Sequence, residues 1–367
     1  MILMNDFKAE PPEIKEAMLN AVCRVLNSGW YVLGDELKTF EKQWAEVCDL
    51  DYAVGVGNGM DAIEIVLRAL DIKVGDEVIT TPMTAFASVL AIHRAGATPV
   101  LADVEFDTGL LSIESATRCL TSRTKAVLIV HLYGQVRQMD AWSLFCSTNG
   151  IALIEDCAQA HLAEWHGKVA GSFGEAGAYS FYPTKNLGAL GDAGMVVTNN
   201  KVLADRSLKL RNYGQSERYY HPEIGMNSRL DEMQAALLGV RLKWLSEFTE
   251  KRRKIANLYR IGIKSSLVEQ LELPEEPSAH VYHLYVIKCQ QREALVSHLH
   301  KHQIDSQIHY PIPVHHQKSY KEVRVDPNGL PNSERHASLC LSLPCHPQMS
   351  IKEAEYVIDV INAFSLD

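Results

Sequence analysis

Lys185 stands in surroundings that suit covalent chemistry. It ends the segment Ser180-Phe181-Tyr182-Pro183-Thr184-Lys185, and no acidic residue lies within five positions of it. A lysine removed from water holds its proton less tightly, because burial disfavours the charged form. The neutral amine can then attack a carbonyl carbon and form a Schiff base. An ordinary solvent-exposed lysine is the alternative interpretation of this residue.

Two carboxylates, Glu155 and Asp156, follow the apolar run Ile151–Ile154. If that run is a buried strand, an acid at its carboxyl end is placed to meet a ligand. Asp156 would also make a good cap for a helix beginning at Cys157. The segment by itself leaves the two interpretations open.

A glycine-rich turn, Gly57-Asn58-Gly59-Met60, joins an apolar run to a helical pattern. The free amides at such a helix start can bind a phosphate group. The turn is not the dinucleotide fingerprint, because Met60 stands where the third glycine is required, and it lacks the Gly-Lys-Ser/Thr of a P-loop. Many turns of this kind bind nothing, so the turn needs support from other residues.

The amine, the acid and the phosphate turn together match the needs of one cofactor. Pyridoxal 5'-phosphate (PLP) requires a seat for its phosphate, a carboxylate for its pyridinium nitrogen and an amine for its aldehyde. The sequence therefore predicts a PLP enzyme.

At these residues the chain resembles the DegT/DnrJ/EryC1/StrS family of fold-type-I PLP-dependent sugar aminotransferases. The resemblance covers nearly the whole chain and is carried by four motifs: Gly-Asn-Gly-Met-Asp-Ala at 57–62, Glu-Asp-Cys-Ala-Gln-Ala-His at 155–161, Ser-Phe-Tyr-Pro-Thr-Lys at 180–185 and Gly-Met-Asn-Ser-Arg at 225–229. It implies an α/β fold in which a mostly parallel sheet is flanked by helices and followed by a smaller C-terminal α+β domain.

The resemblance also implies roles for the residues around the cofactor ring. Lys185 would carry PLP as a Schiff base, and Asp156 would pair with the pyridinium nitrogen. Gln159 would lie near the phenolic oxygen of the ring. Phe86 would stack on the ring, although a core aromatic on a helix is a serious alternative.

Other motif residues would bind the cofactor's phosphate. The backbone amides of Gly59 and Met60 and the hydroxyl of Ser180 would bind it within one subunit. Met60 replaces a small hydroxyl residue common in the family, so only backbone contact is expected there. Asn227 would reach the phosphate of the other subunit, which implies a homodimer with shared active sites. A solvated loop asparagine is the alternative for Asn227.

The segment His309-Tyr310-Pro311-Ile312-Pro313-Val314-His315 and the run Asn186–Asp192 look most like one subgroup of the family. That subgroup aminates C3 of nucleotide-linked 3-keto-6-deoxyhexoses. We therefore expect His309, Tyr310 and His315 to contact the sugar nucleotide, or else only to pack the two domains together. Position 192 is Asp where much of the family has Glu.

The function that follows is a ping-pong transamination. Glutamate would convert PLP to pyridoxamine 5'-phosphate, which would then aminate the nucleotide-linked keto-sugar. A sugar dehydratase of the same fold is one alternative, but such members typically replace the lysine at position 185. A non-catalytic regulator and an unrelated nucleotide-binding dehydrogenase are the others, and the failed dinucleotide fingerprint argues against the last.

The elements that must position these residues follow an alternating pattern. Short apolar runs such as 52–56, 77–80, 126–130 and 194–198 alternate with helical patterns, which indicates a mostly parallel sheet covered by helices. A long helical pattern begins at Leu230, and a Pro-rich break follows at 273–277. Beyond it we expect a strand over 281–287, a helix over 292–303, a strand near 304–308 and a final helix over 351–364. We assign residues 1–250 to a large PLP-binding domain and 251–367 to a small C-terminal domain.

The composition of the chain argues against several other classes of protein. The chain has 367 residues and a net charge of −9. It therefore has no overall positive potential that would attract a polyanion, and it is not expected to bind nucleic acid. No apolar run suggests a membrane span. Eight scattered cysteines without a CxxC pair predict buried thiols and a cytoplasmic protein. His298, His300 and His302 alternate in a helical pattern, so they are not expected to share a face, and no metal site is predicted.

Overall fold

The computed structural model describes residues 1–320 and 323–365 as one chain of alternating helices and strands. The helices are α1 (Pro12–Ser28), α2 (Asp35–Cys48), α3 (Gly59–Ala69), α4 (Phe86–Arg94), α5 (Ile113–Cys119), α6 (Met139–Asn149), α7 (Lys201–Leu210), α8 (Glu232–Leu242), α9 (Leu245–Gly262), α10 (Arg292–Lys301), α11 (Pro331–Leu339) and α12 (Ile351–Asn362). The strands are β1 (Tyr52–Val56), β2 (Glu77–Thr80), β3 (Thr98–Leu101), β4 (Thr124–Val130), β5 (Ala152–Asp156), β6 (Glu164–Trp165), β7 (Lys168–Val169), β8 (Ala176–Ser180), β9 (Gly194–Thr198), β10 (Val268–Gln270), β11 (Tyr285–Cys289), β12 (Arg324–Val325) and β13 (Cys340–Leu343).

The main sheet has the strand order β1-β9-β8-β5-β4-β2-β3-β12. Only β9 runs antiparallel to its neighbours, so the predicted mostly parallel sheet is confirmed. Because β1, β8, β5 and β4 all point the same way, their carboxyl ends meet at one edge of the sheet. Polar residues that follow those ends are thereby brought together, as is typical of ligand sites in such sheets.

Helices on both faces bury the sheet. One core contains Phe40 and Trp44 of α2 with Phe181, and the opposite one contains Ile63 and Ile65 of α3. Strands covered on both faces read as continuous apolar runs, which is why they were recognisable in the sequence.

A second sheet, β10-β11-β13, has its own hydrophobic core with α9, α10 and α12. The division at residue 250 falls inside α9, and we retain it as a proposal. The short strand β12 comes from the C-terminal part of the chain but pairs with β3 at the edge of the main sheet.

Two expectations about these elements were wrong. The segment near 304–308 forms only single bridges, Ile2 with Ile304 and Gln307 with Ser342, instead of a strand. The long helical pattern from Leu230 is broken. The amides of Lys243 and Trp244 bond to carbonyls only three residues back, which closes the end of α8 before α9 begins. All eight cysteines are free; seven of them are buried, as expected, and Cys23 is the exception, since it is exposed. Within the described residues, no helix combines the length and apolar character needed to cross a membrane.

Candidate active site

Asp156 is the last residue of β5 and is almost completely buried, with 5% of its surface exposed. Ser88 of α4 donates a 2.7 Å hydrogen bond to its Oδ2, and the amide of Ala158 donates a 3.1 Å bond to its Oδ1. Burial raises the pKa of this carboxyl above its ordinary value, while those two bonds and the charge of Lys185 lower it. Residues 157–160 form a turn and not the start of a helix, so the helix-cap interpretation is wrong and the Ala158 bond closes that turn.

Lys185 lies in the loop after β8 and is half-buried. Its burial lowers the pKa of its amine to about 8, although the charge of Asp156 raises it. In the described part of the chain, no hydrogen bond or ion pair holds its Nζ. A substantial fraction of this amine is therefore neutral near pH 8 and available to react.

The loop around Lys185 is fixed by its neighbour Asn186. The Asn186 side chain donates a 3.0 Å bond to the carbonyl of Val281, and its Oδ1 lies 3.2 Å from Nδ1 of His283. Burial, with repulsion from Lys185 and Arg252, lowers the pKa of His283 well below its ordinary value. A neutral His283 therefore adds no positive charge beside the lysine.

Gln159 connects the strand edge to the predicted substrate segment. Its Oε1 accepts a 2.6 Å bond from the Tyr133 amide, and its Nε2 donates a 3.2 Å bond to the hydroxyl of Tyr310. The Tyr133 hydroxyl in turn donates a 2.6 Å bond to the carbonyl of His309. The structure thus brings Tyr310 and His309 to the same edge as Asp156 and Gln159.

The glycine turn forms a cradle with Ser180. Asn58 caps α3 by accepting a 2.8 Å bond from the amide of Asp61. A Cβ at Gly59 would lie 2.6 Å from Cβ of Ser180, so only glycine fits this close approach. Within the described residues the amides of Gly59 and Met60 have no protein acceptor, which leaves two donors at a helix N-terminus.

The contacts of Phe86 and Asn227 within the described chain do not test their predicted roles. Phe86 is the first residue of α4, and its half-buried ring packs edge-to-face on Tyr320 at 5.4 Å. Asn227 is exposed and forms a bridge with Asn212, while the next residue, Ser228, accepts a 2.9 Å bond from the Gly57 amide. The segment of Asn227 therefore packs beside its own glycine turn, and both predicted roles remain predictions.

His315 lies apart from the other predicted site residues. Its Nε2 is 3.1 Å from Oε1 of Glu334, and His316 approaches the same oxygen at 3.4 Å. No described contact joins His315 to Asp156, Gln159 or Lys185. The donor atoms of these two histidines and Glu334 lie close enough together to hold a metal ion.

The expectation that the histidines at and near the end of α10 share no face was wrong for two of them. His298 and His302 lie one helical turn apart with ring centroids at 4.5 Å, so these two do share a face. Nε2 of His298 bonds to the Val360 carbonyl and Nδ1 of His302 to the His298 carbonyl.

The sequence-based reasoning missed Ser88, Tyr133 and His283. Tyr133 follows the carboxyl end of β4, a signal of the same kind that singled out Asp156. Ser88 and His283 carry no such signal, because each meets its partner only through the fold.

The residues present fit PLP. Asp156 is a buried carboxylate for which the described chain offers no ion-pairing cation, and a protonated ring nitrogen would provide one. The Gly59–Ser180 cradle offers unused amides for a phosphate. Lys185 offers an amine with a lowered pKa.

The chain is similar to proteins of one known family over nearly its whole length. The family model described as the DegT/DnrJ/EryC1/StrS aminotransferase family matches residues 12–362. A relative from Aneurinibacillus thermoaerophilus, named dTDP-3-amino-3,6-dideoxy-alpha-D-galactopyranose transaminase, is 43% identical over 99% of both chains. A Geobacillus stearothermophilus relative, named a pleiotropic regulatory protein, is 38% identical over 98% of both chains. The solved structure of DesV from S. venezuelae, in complex with a ketimine intermediate, matches with a TM-score of 0.95 and 40% identity, covering 100% of this chain and 99% of that one.

Proposed function

Because the chain belongs to the DegT/DnrJ/EryC1/StrS aminotransferase family, we propose that it transfers an amino group from glutamate to C3 of a dTDP-linked 3-keto-6-deoxyhexose. The match to the family model and the similarity to the DesV structure confirm the predicted family, fold type and PLP cofactor. The chain is a PLP-dependent aminotransferase of nucleotide sugars. The amino donor, the nucleotide and the aminated carbon are the part that we propose.

The cofactor supplies a carbonyl that accepts the amino group and a ring that draws electrons from the reacting carbon. Asp156 would hold the ring nitrogen in its protonated form, since a buried carboxylate without a cation favours a positive partner. The Gly59 and Met60 amides, with the Ser180 hydroxyl, would hold the phosphate at the N-terminus of α3.

Lys185 carries the proton transfers of the proposed reaction. In the first half-reaction its Nζ would take the proton from the α-carbon of the amino donor and pass it to the cofactor. In the second it would take a proton back from the cofactor and deliver it to C3 of the sugar. A base is most effective when its pKa lies near the working pH, and the pKa of Lys185 is lowered to about 8. One group can therefore serve as both base and acid.

The keto-sugar would lie against His309 and Tyr310. Tyr310 already touches Gln159 through its hydroxyl, and His309 is bonded to Ser342 at 2.9 Å. Burial, with repulsion from Lys185, lowers the pKa of His309 to about 4, so its ring is neutral at the working pH. Neutral donors and acceptors suit the hydroxyl groups of a sugar.

One observation supports the proposal most strongly. Asp156 ends β5 and Lys185 follows the neighbouring strand β8 at the same edge of the sheet, and neither forms an ion pair with a side chain of the described residues. Both groups therefore remain available to a cofactor. We also propose that the enzyme acts as a homodimer in which Asn227 reaches the partner's cofactor phosphate.

The test is to incubate the pyridoxamine 5'-phosphate form of the enzyme with a panel of nucleotide-linked keto-sugars and identify the product by mass spectrometry and NMR. An amine at C3 of a dTDP-sugar is expected. An amine at C4, or on another nucleotide sugar, would contradict the substrate but leave the aminotransferase intact. A deoxygenated product would indicate a dehydratase. Absence of turnover with every substrate would favour a regulatory role, as the name of the Geobacillus relative suggests for that protein.

A further inference from the structure

Tyr133 adopts a backbone conformation that is rare for a residue with a side chain. Its φ is 63°, in the left-handed region that favours glycine. Such a conformation costs free energy and persists only where the surrounding contacts enforce it. The residue lies shortly after the carboxyl end of β4, beside the strand that ends in Asp156, and only 1% of its surface is exposed. A strained and buried residue at this edge of the sheet indicates a role beyond filling the core.

The two ends of Tyr133 hold different parts of the site. Its backbone amide donates a 2.6 Å hydrogen bond to Oε1 of Gln159. Because an amide N–H can only donate, Gln159 presents its oxygen to Tyr133 and its amino group to the hydroxyl of Tyr310, 3.2 Å away. At the other end, the phenolic hydroxyl of Tyr133 donates a 2.6 Å bond to the carbonyl of His309. One residue thus joins Gln159 to the segment that we propose contacts the sugar.

The hydroxyl of Tyr133 is itself held by His336 of α11. Nε2 of His336 lies 3.0 Å from the hydroxyl oxygen, and the two rings stack with their centroids 6.0 Å apart. Burial raises the pKa of Tyr133 well above its ordinary value and lowers the pKa of His336 to about 4, so both side chains are neutral. The hydroxyl proton lies in the shorter bond, to the His309 carbonyl. We therefore assign the ring proton of His336 to Nε2, which donates to the hydroxyl oxygen.

The carbonyl of His309 belongs to the peptide group that leads into Tyr310. Fixing this carbonyl fixes the plane from which both side chains leave the backbone. Within the described residues, the only other donor to this carbonyl is the thiol of Cys340, at 3.7 Å, and a thiol is a weak donor. The Tyr133 hydroxyl is therefore the main anchor of this peptide group.

We propose that the Tyr133 hydroxyl is a positioning group for the nucleotide-linked keto-sugar, and that it acts by fixing the peptide group between His309 and Tyr310. The proposal rests on the proposed function, since it requires these two residues to contact the sugar. Loss of the hydroxyl leaves the contact with Gln159 intact, because that contact uses the backbone amide. The keto-sugar half-reaction should therefore depend on the hydroxyl, and the glutamate half-reaction should not.

The experiment measures the two half-reactions of the holoenzyme separately in Tyr133→Phe, which removes only the hydroxyl oxygen. The KM for the keto-sugar that wild type aminates should rise by at least about fivefold, the scale of one hydrogen bond. The rate of the glutamate half-reaction should stay within about twofold of wild type. The absorbance spectrum of the PLP form should not change, because Gln159 keeps its orientation.

Another buried tyrosine provides a matched control. Tyr259 is fully buried, and its hydroxyl donates a 2.7 Å bond to the carbonyl of Pro344 in the core of the second sheet. Tyr259→Phe deletes the same kind of bond away from the substrate segment and should leave both half-reactions within about twofold of wild type. Equal effects of the two substitutions on the keto-sugar KM would overturn the proposal, because the loss of a buried hydroxyl would then explain both.

A binding measurement provides a readout independent of turnover. The probe is dTDP-6-deoxyglucose, which has a hydroxyl in place of the keto oxygen and cannot be aminated. In calorimetry it should bind Tyr133→Phe holoenzyme at least about fivefold more weakly than wild type. In a background of His309→Ala with Tyr310→Phe, the groups that Tyr133 positions are gone, so Tyr133→Phe should weaken binding by less than about twofold. An undiminished effect in that background would show that Tyr133 acts by another route.

The remaining outcomes separate this role from the proposed function. If Tyr133→Phe does not fold, His336→Leu decides by the same measurements, since it keeps the hydroxyl but removes the nitrogen that orients it. A wild type that aminates a keto-sugar while Tyr133→Phe has an unaltered KM refutes the positioning role and leaves the proposed function standing. A wild type that aminates no nucleotide-linked keto-sugar refutes the proposed function, and the positioning role falls with it.

Discussion

Ser88 Oγ lies 2.7 Å from Oδ2 of Asp156, although 68 residues separate them in the chain. Thr84 continues the contact, with its hydroxyl 2.8 Å from that of Ser88. A hydroxyl that donates to a carboxylate stabilises the ionised form, whereas burial favours the protonated form. The first turn of α4 therefore helps to keep Asp156 charged inside the protein.

Ser88→Ala should raise the pKa of Asp156 further, because it removes a bond to the ionised carboxylate. Activity requires the ionised form and is lost as pH falls through this pKa, so the acid limb of the kcat profile should move to higher pH. We expect kcat to fall by about tenfold, the scale of one hydrogen bond to a charged group.

Two further variants calibrate the Ser88 result. Asp156→Asn should retain some PLP but lower kcat by orders of magnitude, since the amide cannot hold a protonated ring nitrogen. Thr84→Val leaves the Ser88–Asp156 bond in place and should have the smaller effect. An unmoved acid limb in Ser88→Ala would show that the hydroxyl is only structural.

Lys185→Ala should abolish transamination while the fold persists, because the amine is needed for the covalent link and the proton transfers. Lys185→Arg should fail equally, since a guanidinium stays protonated. Steady-state product formation measures the effect, and circular dichroism confirms folding. Activity of either variant within tenfold of wild type would remove Lys185 from the mechanism.

The uptake of PLP by apoprotein should depend on the ionisation of Lys185. Only the neutral amine attacks the aldehyde, and its folded pKa is about 8. The rate should rise by about tenfold per pH unit below pH 8 and level off above it. An absorbance time course measures the rate. Pyridoxamine 5'-phosphate has no aldehyde and serves as the control, since its binding should lack this dependence; a shared profile would assign the titration to another group.

The homodimer can be tested by mixing two inactive variants. Lys185→Ala inactivates its own subunit's site, whereas Asn227→Ala should impair the partner's site if Asn227 crosses the interface. A heterodimer of the two then has one site with both lesions and one with neither. Activity should return on mixing, up to about a quarter of wild type at equal amounts by binomial assortment. A monomeric mass in light scattering would contradict the shared site.

The roles of the residues in the predicted substrate segment can be tested by single substitutions. Tyr310→Phe removes the hydroxyl that touches Gln159, and His309→Ala removes the ring bonded to Ser342. Either should raise the KM for the keto-sugar or slow the second half-reaction, with the glutamate half-reaction near normal. His315→Ala should have less effect, because His315 pairs with Glu334 away from Gln159. Equal changes in both half-reactions would mean that the segment only packs the protein.

The sequence determined the parts of the site that lie within short stretches of chain. Asn58 and Gly59 belong to a strand–turn–helix unit, and Asp156 ends a strand. The spacing of the apolar residues and the residues that end each apolar run were therefore enough to place them. Lys185 was recognisable because its neighbours are apolar over several positions. The resemblance of four motifs then supplied the family and the cofactor.

The tertiary structure alone decided which distant residues complete that site. Ser88 reaches Asp156, and Tyr310 reaches Gln159 from 151 positions away, because parallel strands and their crossovers bring remote segments to one edge. Folding likewise brings the Tyr133 hydroxyl to the carbonyl of His309. Folding also directs His315 to Glu334, although it stands in the same short segment as Tyr310. Burial and pairing depend on packing between elements, which the local pattern of residue types does not specify.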